Sequence, residues 1–298
     1  MPEFIPEPIP GYVNLLDVSP ARSRLVAILR EFDHLLVAFS GGVDSTYLLA
    51  EAVSILGNRR VAAMIAVSPS LPQHELIEAK ASALRIGATL HQRETRELLD
   101  PQFYENPPNR CWHCKSALFR ECRQLLASFP EPDRWSIAYG ANLDDLGEDR
   151  PGMQAAQSMG VRAPLLEAKM GKEEIRAVSR ELGLPTADKP PLACLSSRFP
   201  TFTLITEERL RRVEAAEGVL RAEGFRLFRV RYSGNVARIE VGADELERLR
   251  EPGLLGFISR RIEDVGFDRV EVDPRGYRPG GANQQDGPGM GERLPPPA

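Results

Sequence analysis

The hydrophobic pattern of the first two thirds of the chain alternates between short apolar runs and longer stretches of helical spacing. Runs typical of buried strands lie at 35–39, 61–67, 88–91 and 135–139. Apolar residues at helical spacing follow them and predict helices over 48–57, 73–86, 115–127 and 172–182. Strands that alternate with helices pair in parallel through right-handed crossovers. The pattern therefore predicts an α/β domain with a mostly parallel sheet.

The pattern changes after residue 190. An Asp-Lys-Pro-Pro sequence opens a loop, and the next helical spacing runs over 206–223. Strand patterns follow at 225–232, 236–241 and 269–272, the first two joined by a Ser-Gly-Asn turn. This predicts a second, smaller α/β domain. The predicted organisation is a proline-rich segment at 1–20, a first domain at 21–190, a smaller domain at 191–273 and a disordered tail at 274–298.

Composition and charge narrow the functional classes. The 298 residues carry a formal net charge of −4, and the pI is near 5.8. This balance gives no global reason to bind nucleic acid. The N-terminal residues lack the pattern of a secretory signal, and no apolar stretch approaches the roughly 18 to 20 residues that cross a membrane. We expect a cytoplasmic protein with no membrane partner, whose four cysteines are too few for a disulfide scaffold.

The hexapeptide Ser-Gly-Gly-Val-Asp-Ser at 40–45 joins a predicted buried strand to a predicted helix. Adjacent glycines let the backbone approach a ligand, and the helix points its N–H groups and positive dipole end at the loop. The hydroxyls of Ser40 and Ser45 add donors. The loop is therefore a cradle for an anion such as pyrophosphate. It lacks the lysine that follows the glycines of a Walker A sequence.

A second polar segment, Tyr-Gly-Ala-Asn-Leu-Asp-Asp at 139–145, follows another predicted strand. Open α/β sheets bind ligands at the carboxyl ends of their strands. Asn142 can donate hydrogen bonds there, and Asp144 or Asp145 could hold Mg²⁺. Asp44 has the same two interpretations, metal ligand or helix cap.

The hexapeptide resembles the SGGxDS signature of the PP-loop ATP-pyrophosphatases, which transfer AMP and release pyrophosphate. The resemblance implies a Rossmann-like PP-loop domain, followed here by the smaller α/β domain. It also implies ATP and Mg²⁺ as ligands, with Asp44 and Asp144 as possible Mg²⁺ ligands. The residues expected to bind ATP are Ala38, Ser40, Gly41, Gly42, Asp44, Ser45, Gly140 and Asn142.

The cysteines favour sulfur over ammonia or an amine as the nucleophile that follows adenylylation. Cys111 and Cys114 form a C-x-x-C pair in a predicted loop entering a helix, and Cys194 lies in a separate proline-rich loop. A thiolate near Arg198 or Lys115 would have a lowered pKa. These three are the candidate catalytic cysteines.

Other interpretations of the cysteines remain open. With His113 the three could form a zinc site, or a pair of them could form a redox disulfide, or all could be plain thiols. Cys122 follows on the same predicted helix, and we expect it to be a buried structural thiol.

Four segments together resemble the LarE family, the sulfur transferases of nickel-pincer nucleotide biosynthesis. They are SGGVDS, NPPNRCWHCK, GANLDDLGEDRPG and CLSSR, and the resemblance spans about residues 20–273. It implies that ATP adenylylates a carboxylate of pyridinium-3,5-biscarboxylic acid mononucleotide and that sulfur then displaces AMP to give a thiocarboxylate. It also implies a homo-oligomer.

Two sulfur sources occur in that family. Some members sacrifice the sulfur of one cysteine, and others hold a [4Fe-4S] cluster on three cysteines with one iron open for sulfide. Cys111, Cys114 and Cys194 match the three-cysteine pattern, so the resemblance implies the cluster. The alternative is a sacrificial Cys194 without a cluster.

Arg229 and Arg231 alternate along a predicted strand and so point to one face. Two guanidinium groups on one face can bind a phosphate or a carboxylate, although a solvated face would show the same pattern. The LarE resemblance adds Ser197, Arg198 and Glu217 as substrate-binding residues. The rival functions are a PP-loop tRNA thiolase, an ammonia-using synthetase and a PP-loop scaffold without turnover.

Overall fold

The computed structural model describes residues 19–147, 151–191 and 193–278. The tail beyond residue 278 and all but the last two residues of the proline-rich segment lie outside these ranges. The chain divides into two compact units. The N-terminal unit has its described residues at 19–68, 73–95 and 111–191, and the C-terminal unit has them at 69–72, 96–110 and 193–278.

The elements follow one another in this order along the described chain. The α-helices are α1 (Pro20–Arg30), α2 (Val43–Leu56), α3 (Gln73–Ile86), α4 (Pro101–Tyr104), α5 (Arg110–Leu126), α6 (Pro151–Ser158), α7 (Pro164–Glu167), α8 (Lys172–Glu181), α9 (Glu207–Ala222), α10 (Leu246–Leu249) and α11 (Pro252–Asp264). The strands are β1 (His34–Ala38), β2 (Val61–Val67), β3 (Thr89–Glu94), β4 (Trp135–Tyr139), β5 (Phe228–Ser233), β6 (Val236–Val241) and β7 (Arg269–Val272). Short 3₁₀ turns lie at Glu97–Leu99, Pro132–Arg134, Leu143–Gly147, Leu195–Arg198 and Ala243–Glu245.

The N-terminal unit is built on a parallel sheet with the strand order β3-β2-β1-β4. The central strands β1 and β2 are almost continuously buried, as expected for a parallel sheet covered by helices on both faces. The edge strand β3 is half exposed. The parallel α/β architecture is confirmed, and β1 and β4 end side by side where the candidate ligand-binding segments begin.

The C-terminal unit carries a smaller sheet with the order β5-β6-β7. β5 and β6 are antiparallel across a turn at Gly234, whose φ of 61° is typical of glycine, and β7 joins β6 in parallel. Phe228, Val230 and Tyr232 of β5 are buried, and α9 packs against this strand. A mixed α/β fold in this part of the chain agrees with the prediction.

The structure differs from the sequence pattern at the C-x-x-C pair. The pattern placed both cysteines in a loop and began the helix at 115, but α5 begins at Arg110 and carries Cys111 and Cys114 as its second and fifth residues. The prolines at 107 and 108 are compatible with this, because proline disrupts a helix interior but not the residues before its start. No helix among the described residues is long and apolar enough to cross a membrane.

Candidate active site

The loop after β1 folds around its own two serine hydroxyls. Ser40 Oγ lies 3.0 Å from Ser45 Oγ, and Ser45 Oγ also accepts a hydrogen bond from the Ser40 amide at 3.2 Å. The Gly42 amide donates to Ser40 Oγ at 3.3 Å. Ser40 is exposed and Ser45 is buried, so the loop presents one hydroxyl outward on a rigid base. Gly42 is the N-cap of α2 and has no side chain to cover the helix N-terminus.

Close packing explains two glycines of this region. Gly41 has φ +73°, and a Cβ there would lie 2.6 Å from the Cβ of Ala79 on α3. Gly140 follows β4, and a Cβ there would lie 2.8 Å from the Ser45 amide nitrogen. Side chains at either position would force the loop and its neighbours apart. The structure therefore brings the hexapeptide and the start of the second polar segment into direct contact.

The second polar segment is organised by hydrogen bonds of its own. The Asn142 side-chain oxygen accepts from the Asp144 amide at 2.9 Å, and the Asp145 carboxylate accepts from the Asn142 amide at 3.0 Å. Asn142 is buried, whereas Asp144 is exposed. Asp145 thus caps the turn, and Asp144 is left with its carboxylate directed to another element. This distinguishes two acidic residues that the sequence could not separate.

A lysine that the sequence pattern did not single out joins the candidate acidic residues. Lys172 Nζ donates to Asp44 Oδ2 at 2.5 Å, and the Lys172 amide, at the first residue of α8, donates to Asp144 Oδ2 at 2.6 Å. The other oxygen of Asp44, Oδ1, is buried, and no described residue is within hydrogen-bonding distance of it. A cation therefore already sits on Asp44, beside the loop that lacks the Walker lysine.

A second lysine binds the other side of the loop. Lys189 Nζ contacts the carboxylates of Glu75 and Glu78 on α3, and lies 3.5 Å from the Gly41 carbonyl oxygen. Burial raises the pKa of Glu75, but hydrogen bonds from His74 and Lys189 and the charge of Lys189 outweigh it and hold the pKa below its ordinary value. Neither lysine lies near the hexapeptide in sequence, so residue spacing gives no signal for them.

Mg²⁺ prefers oxygen ligands, and Asp44 and Asp144 supply carboxylates beside the serine-lined loop. The buried Asp44 Oδ1 without a partner fits such an ion, which would bring the missing ligand for that oxygen. Among the described residues, no group of three His, Cys, Asp or Glu side chains lies close enough together to hold a metal ion. The predicted [4Fe-4S] cluster therefore stays a prediction.

The cysteines differ in access to solvent. Cys111 and Cys114 lie one turn apart on α5, the first exposed and the second half-buried, and Cys194 in the C-terminal unit is exposed. Cys122 is fully buried, and burial raises the pKa of its thiol to about 12. A thiol with that pKa carries almost no thiolate at neutral pH, which agrees with the structural role expected for it.

The segment that carries Cys194 is fastened by residues from much earlier in the chain. The Leu195 amide donates to the Ser70 carbonyl at 2.9 Å, and the hydroxyls of Ser70 and Ser196 are 2.9 Å apart. The buried guanidinium of Arg110 donates to the Ser196 carbonyl at 2.7 Å. The exposed thiol thus stands at the edge of a well-anchored turn.

Arg198 and Glu217 form a buried bidentate pair. The guanidinium donates from Nε to Oε1 at 2.8 Å and from Nη2 to Oε2 at 2.9 Å, and both side chains are 4% exposed. Arg198 Nη1 also donates to the Cys194 carbonyl at 3.0 Å and to Ser197 Oγ at 3.0 Å. Glu217 additionally accepts from the Val230 amide at 3.1 Å. Glu217 therefore orients Arg198 and fixes it to β5.

Arg229 and Arg231 are buried, which excludes a solvated strand face as the explanation for their spacing. Arg231 pairs with Glu240 at 2.8 Å and donates to the Ser197 carbonyl at 3.0 Å. Burial lowers the pKa of the Arg229 guanidinium, and the charges of Arg198 and Arg231 lower it further against the attraction of Glu217. Three guanidinium groups thus share one region, and the sequence-predicted substrate residues are brought together within the C-terminal unit.

Comparison with known proteins identifies relatives of this chain. No family model matches the chain. The chain is 41% identical over 254 residues to an uncharacterised protein of Synechocystis sp., which covers 85% of this chain and 93% of that protein. An uncharacterised protein of Methanocaldococcus jannaschii is 28% identical over 248 residues, with 82% of this chain and 90% of that protein covered.

A third relative carries a functional name. The pyridinium-3,5-bisthiocarboxylic acid mononucleotide synthase of Lactiplantibacillus plantarum is 32% identical over 269 residues, which cover 89% of this chain and 95% of that enzyme. An identity at this level over almost the full length of both chains indicates common descent. The chain belongs to the LarE family, of which this synthase is a member.

Proposed function

We propose that this protein is an ATP-dependent sulfur transferase that converts a carboxylate of pyridinium-3,5-biscarboxylic acid mononucleotide to a thiocarboxylate, with AMP and pyrophosphate as products. Membership of the LarE family supports sulfur transfer in nickel-pincer nucleotide biosynthesis. The observation that carries the ATP-dependent part is the serine-lined loop at the N-terminus of α2 with Lys172 bound to Asp44 beside it.

The loop would bind the phosphates of ATP. The Ser40 hydroxyl and the N-terminus of α2 provide donors for phosphate oxygens. Mg²⁺ held by Asp44 and Asp144 would neutralise phosphate charge when bound. Mg²⁺ at Asp44 Oδ1 would weaken the attraction of this carboxylate for Lys172 at Oδ2, so the ammonium group would turn from the carboxylate to a phosphate oxygen. Lys172 then has the function that the lysine of a Walker A loop has elsewhere.

The arginines of the C-terminal unit would bind the acidic substrate. Arg229 and Arg231, buried and close to Arg198, provide the positive charge that a phosphate monoester and a carboxylate need. In the first step a substrate carboxylate oxygen attacks the α-phosphorus of ATP, and pyrophosphate leaves. In the second step a sulfur nucleophile attacks the acyl carbon, the bond from carbon to the phosphate oxygen breaks, and AMP leaves with that electron pair.

The cysteines are the candidate source of the transferred sulfur. We propose that Cys111, Cys114 and Cys194 deliver the sulfur, as ligands of a [4Fe-4S] cluster, with a sacrificial Cys194 as the alternative. The exposure of Cys111 and Cys194 supports a role for their thiols in either route. The two routes make opposite predictions about the protein's own mass.

A turnover experiment tests the proposal. The protein is incubated anaerobically with sulfide, ATP, Mg²⁺ and the pyridinium dicarboxylate mononucleotide, and AMP, pyrophosphate and the thiocarboxylate are measured. Lys172→Met should bind ATP about 10- to 100-fold more weakly, because a charge-assisted contact to phosphate is lost. Lys80→Met, which removes the same charge from the exposed face of α3, is the control and should bind ATP normally. Release of ADP and phosphate, or no substrate-dependent release of AMP, would contradict the proposal.

The intact mass and the iron content of the same samples identify the sulfur source. About four irons per chain with an unchanged protein mass supports the cluster. A loss of about 34 Da at Cys194 without iron supports the sacrificial route, because cysteine without H₂S is dehydroalanine.

A further inference from the structure

The ammonium group of Lys189 joins α3 to the loop at 40–45. It contacts the Glu75 carboxylate, lies 2.7 Å from Glu78 Oε2 and lies 3.5 Å from the carbonyl oxygen of Gly41. A lysine ammonium group has three protons to donate, one for each of these acceptors. The side chains of Lys189 and Glu75 are both 11% exposed, so this is not a solvated surface charge. The two carboxylates therefore fix the ammonium group against the loop.

The backbone of Lys189 is held by α8. Arg176 Nη2 donates to the Lys189 carbonyl at 2.7 Å, and Arg176 Nη1 donates to the Ala187 carbonyl at 2.5 Å. Arg176 lies one turn after Lys172, the first residue of α8, whose ammonium group contacts Asp44. One helix therefore places two lysines at the loop, one at the Asp44 carboxylate and the other at the carbonyl of residue 41.

The loop also packs directly against α3. A Cβ at Gly41 would lie 2.6 Å from the Cβ of Ala79, so the backbone of the loop approaches this helix closely. Ala79 follows Glu75 by four positions, and residues at this spacing lie on the same helix face. The face of α3 that touches Gly41 is thus the face that holds Lys189 through Glu75.

These contacts fix the direction of one peptide group. The Gly41–Gly42 peptide is trans, so its C=O and N–H bonds point in opposite directions. The C=O faces Lys189, and the Gly42 N–H donates to Ser40 Oγ at 3.3 Å. Glycine on both sides leaves no Cβ to oppose rotation of this peptide. A reversed peptide would turn its carbonyl oxygen toward the exposed Ser40 hydroxyl, where that oxygen would repel an anion.

We propose that Lys189 is a positioning residue of the nucleotide loop. It holds the carbonyl of Gly41 away from the bound phosphates and the N–H of Gly42 toward them, and it does not bind phosphate itself. The proposal rests on the proposed function for the identity of the anion, which is the pyrophosphate part of ATP. The orientation of the peptide does not depend on that identity and can be measured without a ligand.

Equilibrium titrations of the full chain with ATP, pyrophosphate and adenosine test the effect on binding. Lys189→Met should bind ATP and pyrophosphate about 10-fold more weakly and adenosine as the wild type does, because only the phosphates meet this peptide. Lys189→Arg should restore most of the affinity, since a guanidinium group can donate to the same oxygens. Lys80→Met, which removes an exposed lysine from α3, is the control and should bind all three ligands normally. Equal weakening for ATP and adenosine, or none for either, would overturn the proposal.

Glu75→Gln distinguishes a positioning lysine from a phosphate ligand. If Lys189 bound phosphate, the Glu75 carboxylate would compete for its ammonium group, and the variant would bind ATP more tightly. If Lys189 positions the peptide, loss of this anchor should weaken ATP binding about 2- to 5-fold. The double variant should then bind ATP no more weakly than Lys189→Met alone, because both changes disrupt one set of contacts. Tighter binding by Glu75→Gln, or additive losses in the double variant, would refute the positioning role.

A wild type that binds neither ATP nor pyrophosphate would contradict the proposed function, and the role of Lys189 would still be decided by NMR of the ligand-free protein. The resonances of the Gly41 carbonyl carbon and the Gly42 amide nitrogen report the hydrogen bonds and the torsion angles of this peptide. Lys189→Met should shift both resonances, and Lys80→Met should shift neither. Unchanged resonances in Lys189→Met would show that the peptide keeps its direction without the lysine and would overturn the proposal.

Discussion

Replacing Glu217 by Gln should destabilise the C-terminal unit, because it leaves the buried charge of Arg198 without its carboxylate. The wild-type pair makes two charge-assisted hydrogen bonds at 2.8 and 2.9 Å with both side chains 4% exposed. The amide of Gln keeps one acceptor and turns an NH₂ group toward a guanidinium that can only donate. Breaking one side of a buried pair costs about 3–5 kcal/mol. The carbonyls of Ala193 and Cys194, at 2.8 and 3.0 Å, still accept from Arg198, so we expect the lower end, about 3 kcal/mol.

Hydrogen exchange of the β5 amides as a function of urea measures this loss in the unit concerned. The Val230 amide, which donates to Glu217 at 3.1 Å, should lose protection first. Glu208→Gln is the control, because it makes the same chemical change on the same helix. The Glu208 carboxylate pairs with Arg212 but is 78% exposed, so this variant should leave the exchange almost unchanged. A loss below about 1 kcal/mol in Glu217→Gln would refute the claim that this carboxylate holds Arg198 in place.

Three further outcomes follow from single residues. Gly41→Ala should abolish tight ATP binding in an equilibrium titration, because its Cβ would meet the neighbouring helix at 2.6 Å at a φ of +73°; normal affinity would show that the loop has room to move. Cys122, with a thiol pKa of about 12, should resist iodoacetamide at pH 8 while Cys111 is alkylated, which peptide mass spectrometry would show; comparable rates would contradict its burial. Burial raises the pKa of Asp273, but hydrogen bonds from Arg275 outweigh burial and keep this pKa below its ordinary value of 3.8, so the contribution of Asp273 to stability is complete above pH 3.8 and is lost as the pH falls below it. In a plot of the urea midpoint of unfolding against pH, Asp273→Asn should therefore show a smaller decrease at acidic pH than the wild type, and an unchanged decrease would refute this linkage.

Four strands were predictable to the residue. They are Val61–Val67, Trp135–Tyr139, Val236–Val241 and Arg269–Val272, which are short runs bounded by turn residues, and the structure has the limits that the pattern predicts. The start of α5 was not predictable in this way. Its first turn is polar and partly exposed, and helix starts of this kind are decided by packing further along the helix rather than by local pattern.

The candidate site was also predictable only in part. The hexapeptide carries its geometry in consecutive residues, so the cradle could be predicted. The partner of Asp44 is Lys172, 128 positions away, and the neighbour of Arg231 is the carbonyl of Arg278, 47 positions away. Such contacts depend on where the sheet places its strand ends. No spacing in a single sequence encodes them.

The fastening of the Cys194 turn by Ser70 and Arg110 has a consequence for how the protein is made. Those two residues leave the ribosome long before Ser196, whose hydroxyl and carbonyl they bind at 2.9 and 2.7 Å. A contact that spans 126 positions must close a long loop, so it forms late during folding. A nascent chain that stalls before residue 196 therefore has the Ser-Gly-Gly-Val-Asp-Ser loop but lacks the fastened turn that carries Cys194.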